Sequence, residues 1–566
     1  MTRFAVASPR EENQPELSTS SRVGRLRREA LLDWTTGGFV LLAYAVVQLN
    51  FLLGPQPFDP SKYFETAVDF PDVPADLFTL RIGLVAPVRA AVLAFGPSEA
   101  ALYAVPIASG LVLAAAVYGT LLLLFRDRLL AAAAALVTVL NTNYLLKSSS
   151  IFPDTAATAT FTACFFCLVL GAIRSEDQKA RWAPTVAAIG AGVLFGWTYL
   201  IREFSLLLFP AVLAAFVLMR YPLRRAALVV GAAFATATLE LFYGFLNYGE
   251  PFVHARLLLR RGETRLRPGA YVVEHVREQV DNVPGAVVLF PRLLLAWGVG
   301  WLLLLVVAIF VLALLLRFRD KRLQLLAAWC LSFWIIMVGL GFGSLRSGLW
   351  ILNTTNVRYW LPIFPPLLMG AFGGLALLVP RRAAVLGGIS LTHAVTAVLA
   401  ALAVVPGLVE FKRCAAMEVW PNDSAERWHD LRSWFATGAA ERYDAVWTDE
   451  KTQRLVPAFA STTFGRTLWN GAVETFPHAR PGVPGTAFEG SLILVHKDRF
   501  AASAQGQLKA LRREWSPIFV SNDGDMVLLA HTPAAGSATV EAQEPWWRLA
   551  RDPADEATPG TCGQRL

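Results

Sequence analysis

The feature that most limits this chain is a succession of apolar stretches, each about 20 residues long, with arginine-bearing connections closing alternate ones. Such a stretch, coiled into a helix rising about 1.5 Å per residue, covers the hydrocarbon core of a bilayer. The first runs from Trp34 to about Leu53. Others lie at about 98 to 125, 129 to 147, 156 to 173, 185 to 201, 204 to 219, 226 to 247, 296 to 316, 323 to 343, 360 to 380 and 383 to 408. The expected fold is a polytopic α-helical membrane protein of about 11 spans. With 55% hydrophobic and 17% charged residues over 566 positions, a single soluble core is excluded.

The net charge of +8 does not mark a nucleic-acid partner, because the arginines cluster between apolar stretches as the positive-inside rule places them. The basic connections hold Arg126 and Arg128; Arg174, Lys179 and Arg181; Arg220, Arg224 and Arg225; Arg317, Arg319, Lys321 and Arg322; Arg381 and Arg382. Residues 1–33, with Arg22, Arg25, Arg27 and Arg28, read as a basic cytoplasmic tail and not as a cleavable signal peptide, since they lack an apolar core. An odd number of spans then places the C-terminal region outside the plasma (inner) membrane. The opposite parity class holds the polar loop 54–97, the turn at Asp154, the Arg202–Glu203 junction, the stretch 248–295 and the segment before Trp360. The 248–295 stretch carries Arg256, Arg260, Arg261, Arg265, Arg267 and Arg277 against the rule, which an anionic ligand or a solvated amphipathic helix would explain. Leu77 to Phe95, broken by Arg81, Pro87 and Arg89, reads as an interfacial helix.

From about 409 onward the composition turns polar and a separate small α/β soluble domain is expected over 409–566, with a loose Pro/Ala/Glu-rich tail. The runs YDAVWTDE and EGSLILVHKD read as strands, and PIFVS with MVLLAH as a hairpin around Asn522-Asp523-Gly524. Ser424 to Ala436 and Ala501 to Glu514 have helical spacing. Of five cysteines, Cys164, Cys167 and Cys330 lie inside spans and read as small hydrophobes, while Cys414 and Cys562 can pair if exported. Asn353-Thr354-Thr355 fits a glycosylation acceptor.

The chemistry-bearing residues collect at the outer boundary. In FDPSKYFETAVDFPD, Asp59 precedes Pro60 and opens a helical pattern, so it serves as a cap; a partly desolvated carboxylate there can also act as a general base toward a hydroxyl. Glu65, Asp69 and Asp72 follow as solvated helix and turn residues. Asp154, in IFPDT, is a helix cap and a second carboxylate that could share a cation with Asp59, and Lys147 could pair with either. Arg358 and Tyr359 open the next-to-last span; a guanidinium fork suits a phosphate, and a tyrosine can stack or hydrogen-bond.

The order of these parts carries a resemblance. It runs D-x-x-x-Y-x-x-x-A (Asp59, Tyr63, Ala67), R-x-G (Arg81, Gly83), F-P-D ending at Asp154, Y-L-x-R-E (Tyr199 to Glu203) and R-Y-x-L-P-x-x-P (Arg358 to Pro365). Over residues of about 30 to 400 it resembles the GT-C membrane glycosyltransferases, closest to the family 39 branch of protein O-mannosyltransferases and bacterial lipid A aminoarabinose transferase. The resemblance implies a transmembrane catalytic domain over 34–408. It also implies an enzyme that moves a sugar, with inversion, from a polyprenyl-phosphate donor to an acceptor hydroxyl on a protein, a lipid or a cell-wall glycan. It maps the catalytic acid residue onto Asp59 and points to Arg81, Lys147, Arg202 and Arg358, with Tyr359, for the donor phosphate. No cofactor is required, and a divalent cation remains open. Relatives often carry an Asp-Asp or Asp-Glu pair where this chain has Asp59-Pro60, so the second carboxylate is Glu65, Asp69 or Asp154, with Asp154 the better placed. The rival reading from another class is a transporter or flippase of a lipid-linked sugar. The scarcity of ionisable residues within the spans argues against it. A structural assembly factor would leave Asp59 and Arg358 replaceable.

Overall fold

The computed structural model describes residues 19–50, 52, 59–175, 182–258, 287, 300–347, 357–379, 390–416, 425–475, 490–496, 515–522 and 524–531. The glycosylation pattern at Asn353, the helix expected over 501–514, most of the 248–295 stretch, the Cys414–Cys562 pairing and the loose tail lie outside the described residues and side chains.

Among the described residues the membrane part is helical. Helix α1 (Thr19–Asn50) begins well before Trp34, so the second half of the expected basic tail is helix: it holds no proline and enough good helix formers to continue the span backwards. Then come α2 (Asp59–Asp69), α3 (Ile82–Phe95), α4 (Glu99–Phe125), α5 (Arg128–Leu140), α6 (Thr142–Ser148), α7 (Pro153–Arg174) and α8 (Ala183–Ile201). A 3-10 turn over Glu203–Leu208 leads into α9 (Phe209–Leu218) and α10 (Leu223–Tyr248). After α11 (Gly300–Leu316) and α12 (Lys321–Ser347), a second 3-10 turn, Val357–Ile363, opens α13 (Phe364–Leu378), and α14 (Leu391–Ala416) follows. Among the described residues, eight helical segments are long and apolar enough to cross a membrane, and shorter apolar helices stand beside them.

Two expected spans are interrupted, and both breaks bear on the site. The stretch 129–147 divides at Asn141, whose extended backbone (ψ 146°) ends α5 and whose side chain accepts from the Tyr144 amide 3.0 Å away to start α6. A cap of this kind is worth about 1 kcal/mol, enough to select the break. The stretch 204–219 opens as a 3-10 turn and becomes α-helical only where Pro210 takes the first turn of α9. Pro153 starts α7 in the same way.

Small residues set which helices are neighbours. A Cβ on Gly192 or Gly196 of α8 would meet the carbonyls of Val229 and Ala233 at 2.3 and 2.5 Å, so α10 lies against this small-xxx-small face. A Cβ on Gly83 would stand 2.7 Å from the Ile201 nitrogen, which seats the start of α3 on the end of α8. At the far end of the bundle, Arg322 donates to the Leu124 carbonyl and His393 meets Asp127 at 3.0 Å, so the basic turns at 126–128 and 317–322 adjoin.

The C-terminal part forms a five-stranded sheet of order β2-β1-β3-β5-β4, from β1 (Ala445–Thr448), β2 (Ala472–Thr475), β3 (Ser491–His496), β4 (Trp515–Val520) and β5 (Met526–His531). The first three are parallel, and β5 pairs antiparallel with both β3 and β4. The apolar run of β3 is buried along its whole length, as a central strand requires. Helix α15 (Ala425–Ala436) buries Trp428 and Leu431 in the adjoining core. That core does not stop at the expected domain boundary. Tyr63 and Phe64 of α2, Val85 and Val88 of α3 and Leu102 of α4 belong to one buried cluster with Trp428, Phe459, Leu494 and Leu528. The apolar faces of α2 and α3 are covered by protein at this end, and the change of composition near residue 409 is not a packing boundary.

Candidate active site

Each side chain of the site projects from the end of an element. Asp59 opens α2, Lys147 closes α6, Asp154 occupies the first turn of α7 behind Pro153, Arg202 follows α8, and Arg358 and Tyr359 lie in the 3-10 turn before α13. Short, proline-marked helix starts place these polar groups just beyond the apolar segments, where their charges meet one another.

Asp154 is the centre of the cluster. Its side chain is fully buried, with Arg202 Nε 3.3 Å from one carboxylate oxygen and Arg358 Nε 3.7 Å from the other. Neither oxygen makes a hydrogen bond of good geometry among the described residues. Arg358 also donates from Nη1 to Asp59 Oδ2 at 3.3 Å and from Nη2 to the Tyr359 hydroxyl at 3.0 Å. One guanidinium therefore links the two carboxylates that the chain supplies from positions 95 residues apart. Asp59 is the accessible one, 41% exposed at the side chain against 0% for Asp154. Aromatic faces back the cations: Arg202 and Arg358 lie 5.2 and 5.0 Å from the Tyr359 ring centroid, while Lys147 and Arg358 lie 5.3 and 5.5 Å from that of Phe152.

Lys147, on α6 outside the spans, has its ammonium pushed down to about 8 by burial, with Arg358 adding to the drop and Asp154 opposing it. Arg202, Arg358 and Lys147 stand with Asp59 and Asp154 in this cluster, and Glu203 adjoins Arg202.

Arg81 is engaged elsewhere. Its guanidinium forms a two-pronged pair with Glu203, Nε to Oε2 at 3.2 Å and Nη2 to Oε1 at 2.8 Å, and donates to the Tyr63 hydroxyl. Burial pushes the Glu203 carboxyl up, but the Arg81 and Arg202 guanidiniums overcome it and hold it well below the usual carboxylate range. Glu65 pairs with Arg454 of the C-terminal part at 2.9 Å, which takes it out of the site, and Asp69 closes α2. The sequence names Glu203 only within its junction with Arg202 and gives neither it nor Phe152 a role. Their positions inside Y-L-x-R-E and F-P-D, next to Arg202 and Asp154, are the signal that could have found them.

The donor set is a poor fit for a divalent cation. Both carboxylates face guanidiniums, and no group of three His, Cys, Asp or Glu side chains close enough to hold an ion is found among the described residues.

This arrangement of spans, with polar turns converging on one end beside a small sheet, defines a polytopic membrane protein that shares its fold with solved membrane-protein structures. Among solved structures, the chain is similar to ArnT from Cupriavidus metallidurans in the apo state, at 13% identity with a TM-score of 0.55 over 90% of this chain and 100% of that one. It is similar also to the same protein bound to undecaprenyl phosphate, at 13% identity with a TM-score of 0.51 over 88% of this chain and 99% of that one. At such identity the likeness is one of fold. No protein-family model matches the sequence, and no curated protein matches it.

Proposed function

We propose that the protein is a glycosyltransferase that moves a sugar from a polyprenyl-phosphate donor to an acceptor hydroxyl at the outer face of the plasma membrane. The observation that carries this reading is Arg358 joining an exposed carboxylate, Asp59, to a buried one, Asp154, beside Arg202 at the ends of the spans. The undecaprenyl phosphate bound to ArnT, which shares the fold, supports a lipid phosphate as the anion.

In this mechanism the donor phosphodiester lies against Arg358, Arg202 and Lys147, with Tyr359 beside them. Asp59 accepts the proton of the acceptor hydroxyl as its oxygen attacks the anomeric carbon from the face opposite the phosphate. The bond between that carbon and the phosphate oxygen breaks, and its electron pair leaves with the polyprenyl phosphate. The configuration inverts, and the leaving group passes from one negative charge to two. Guanidiniums fixed in a poorly solvated cluster favour the doubly charged product over the singly charged reactant, which is where electrostatic catalysis contributes most. Asp154 keeps Arg202 and Arg358 aimed.

The test is to incubate the purified full chain with labelled polyprenyl-phosphate sugars and follow transfer. Asp59→Asn is expected to abolish transfer without changing the unfolding temperature. Full transfer by that variant would overturn the role of Asp59.

A further inference from the structure

We infer that Arg81 and Glu203 act as one positioning joint, which holds Arg202 on one side of the site and the Asp59 helix on the other, and that neither touches the donor. The inference rests on the proposed reading for its functional consequence, while the joint itself stands on geometry.

Four contacts define it. Arg81 is 7% exposed, and its fork meets both oxygens of Glu203. Glu203 is the residue next to Arg202, so fixing its side chain fixes the backbone from which Arg202 reaches Asp154. On the other side, Arg81 donates to Tyr63, which is fully buried and stands four residues, about one turn, after Asp59 on α2. Two residues beyond Arg81, Gly83 lets the start of α3 approach to where any Cβ would meet the Leu200 and Ile201 backbone at 2.7 Å. Thus R-x-G and Y-L-x-R-E, two patterns well apart in the chain, are the two faces of one contact.

The chemistry separates this joint from a phosphate clamp. Two parallel hydrogen bonds to a single carboxylate neutralise the Arg81 guanidinium and orient it. Turning it toward a phosphate would leave Glu203 buried with half its partners gone, because Arg202 already faces Asp154. Arg202 and Arg358 instead share Asp154, with Asp59 on Arg358, at longer distances than the Arg81–Glu203 fork.

A double-mutant cycle tests the joint in the full chain, using undecaprenyl phosphate as the binding probe and hydrogen exchange over 59–69 and 203–208 as a readout independent of ligand. Arg81→Ala and Glu203→Gln are each expected to weaken probe binding about tenfold and to speed exchange in both segments; the double variant should be no worse than either single one. In the transfer assay both should lower kcat as well as raise the donor KM, because they release base and cation together, and Arg202→Ala should do likewise without speeding exchange over 59–69. Tyr63→Phe, which removes only a hydroxyl, should speed exchange over 59–69 alone and keeps the test open if a larger change prevents folding. Additive losses, or a binding loss from Arg81→Ala with none from Glu203→Gln, would mean that Arg81 contacts the phosphate directly and would overturn the inference. Should the wild-type chain bind no polyprenyl phosphate, the proposed function fails, and unchanged exchange in the variants would separately sink the joint.

Discussion

Two seams of charge cross this end of the molecule, and they are built differently. Where the C-terminal part meets the helices, Glu99 accepts from Arg432 at 2.5 Å and from His429 at 3.0 Å, Glu65 meets Arg454 at 2.9 Å, and the Ala100 amide donates to the Thr463 carbonyl. Around Asp154 the corresponding distances are 3.3 and 3.7 Å, and neither carboxylate oxygen has a hydrogen bond of good geometry among the described residues. The pairs of the first seam are thus shorter than those around Asp154, and under the proposed function the second group is the one that meets an anion from outside.

That contrast breaks first at Asp154. Asp154→Ala leaves two guanidiniums without their shared buried carboxylate, and it is expected to cost about 3 to 5 kcal/mol of stability, read as a fall in unfolding temperature, along with loss of transfer. A drop no larger than that of a variant in the first seam would erase that contrast. Arg358→Ala comes next: transfer kinetics should show the donor KM raised by about a hundredfold, on the scale of a lost charge-assisted pair, with the acceptor KM little changed. An equal loss toward both substrates would take Arg358 out of the phosphate site.

Lys147 sharpens the comparison through pH. Its folded value of about 8 lies below the ordinary 10.5, so the unfolded chain binds more protons between those values and stability rises with pH across that window. Donor binding should run the opposite way, falling as pH passes about 8 and the ammonium loses its proton. Isothermal titration at several pH values, beside thermal unfolding, should show these opposed slopes, and Lys147→Met should flatten both. The smallest effects belong to the first seam. Arg454→Ala removes a half-exposed pair and is expected to cost about 1 kcal/mol or less, with donor KM unaltered; a large rise in donor KM would instead tie the C-terminal part to the chemistry.

Much of the site was legible because depth is written in hydropathy. Asp59, Asp154, Arg202 and Arg358 each stand where an apolar stretch gives way to a proline or a polar turn, and the structure does gather them with Lys147 and Tyr359 at one end. Arg81 has the same signature at the same depth, and nothing in its neighbours along the chain separates it from Arg202; its engagement by Glu203 depends on α3 lying against α8. The interrupted span at Asn141 was missed because the apolar run continues through it, while the cap that breaks the helix is a single side chain.

By itself, then, the sequence determined how far along the bundle each charged group sits, because the cost of burying charge in hydrocarbon depends on position along the chain. It also determined β1, β3, β4 and β5 of the C-terminal sheet, whose period and turn residues are local, but not β2, whose four residues carry too short a pattern. Only the tertiary structure decided which groups share an end and a partner. In lipid, helix neighbours are chosen by close packing of small residues such as Gly83, Gly192 and Gly196 against particular backbones, and that choice turned one row of look-alike arginines into a fork on Glu203 at Arg81 and a cluster around Asp154 at Arg202 and Arg358.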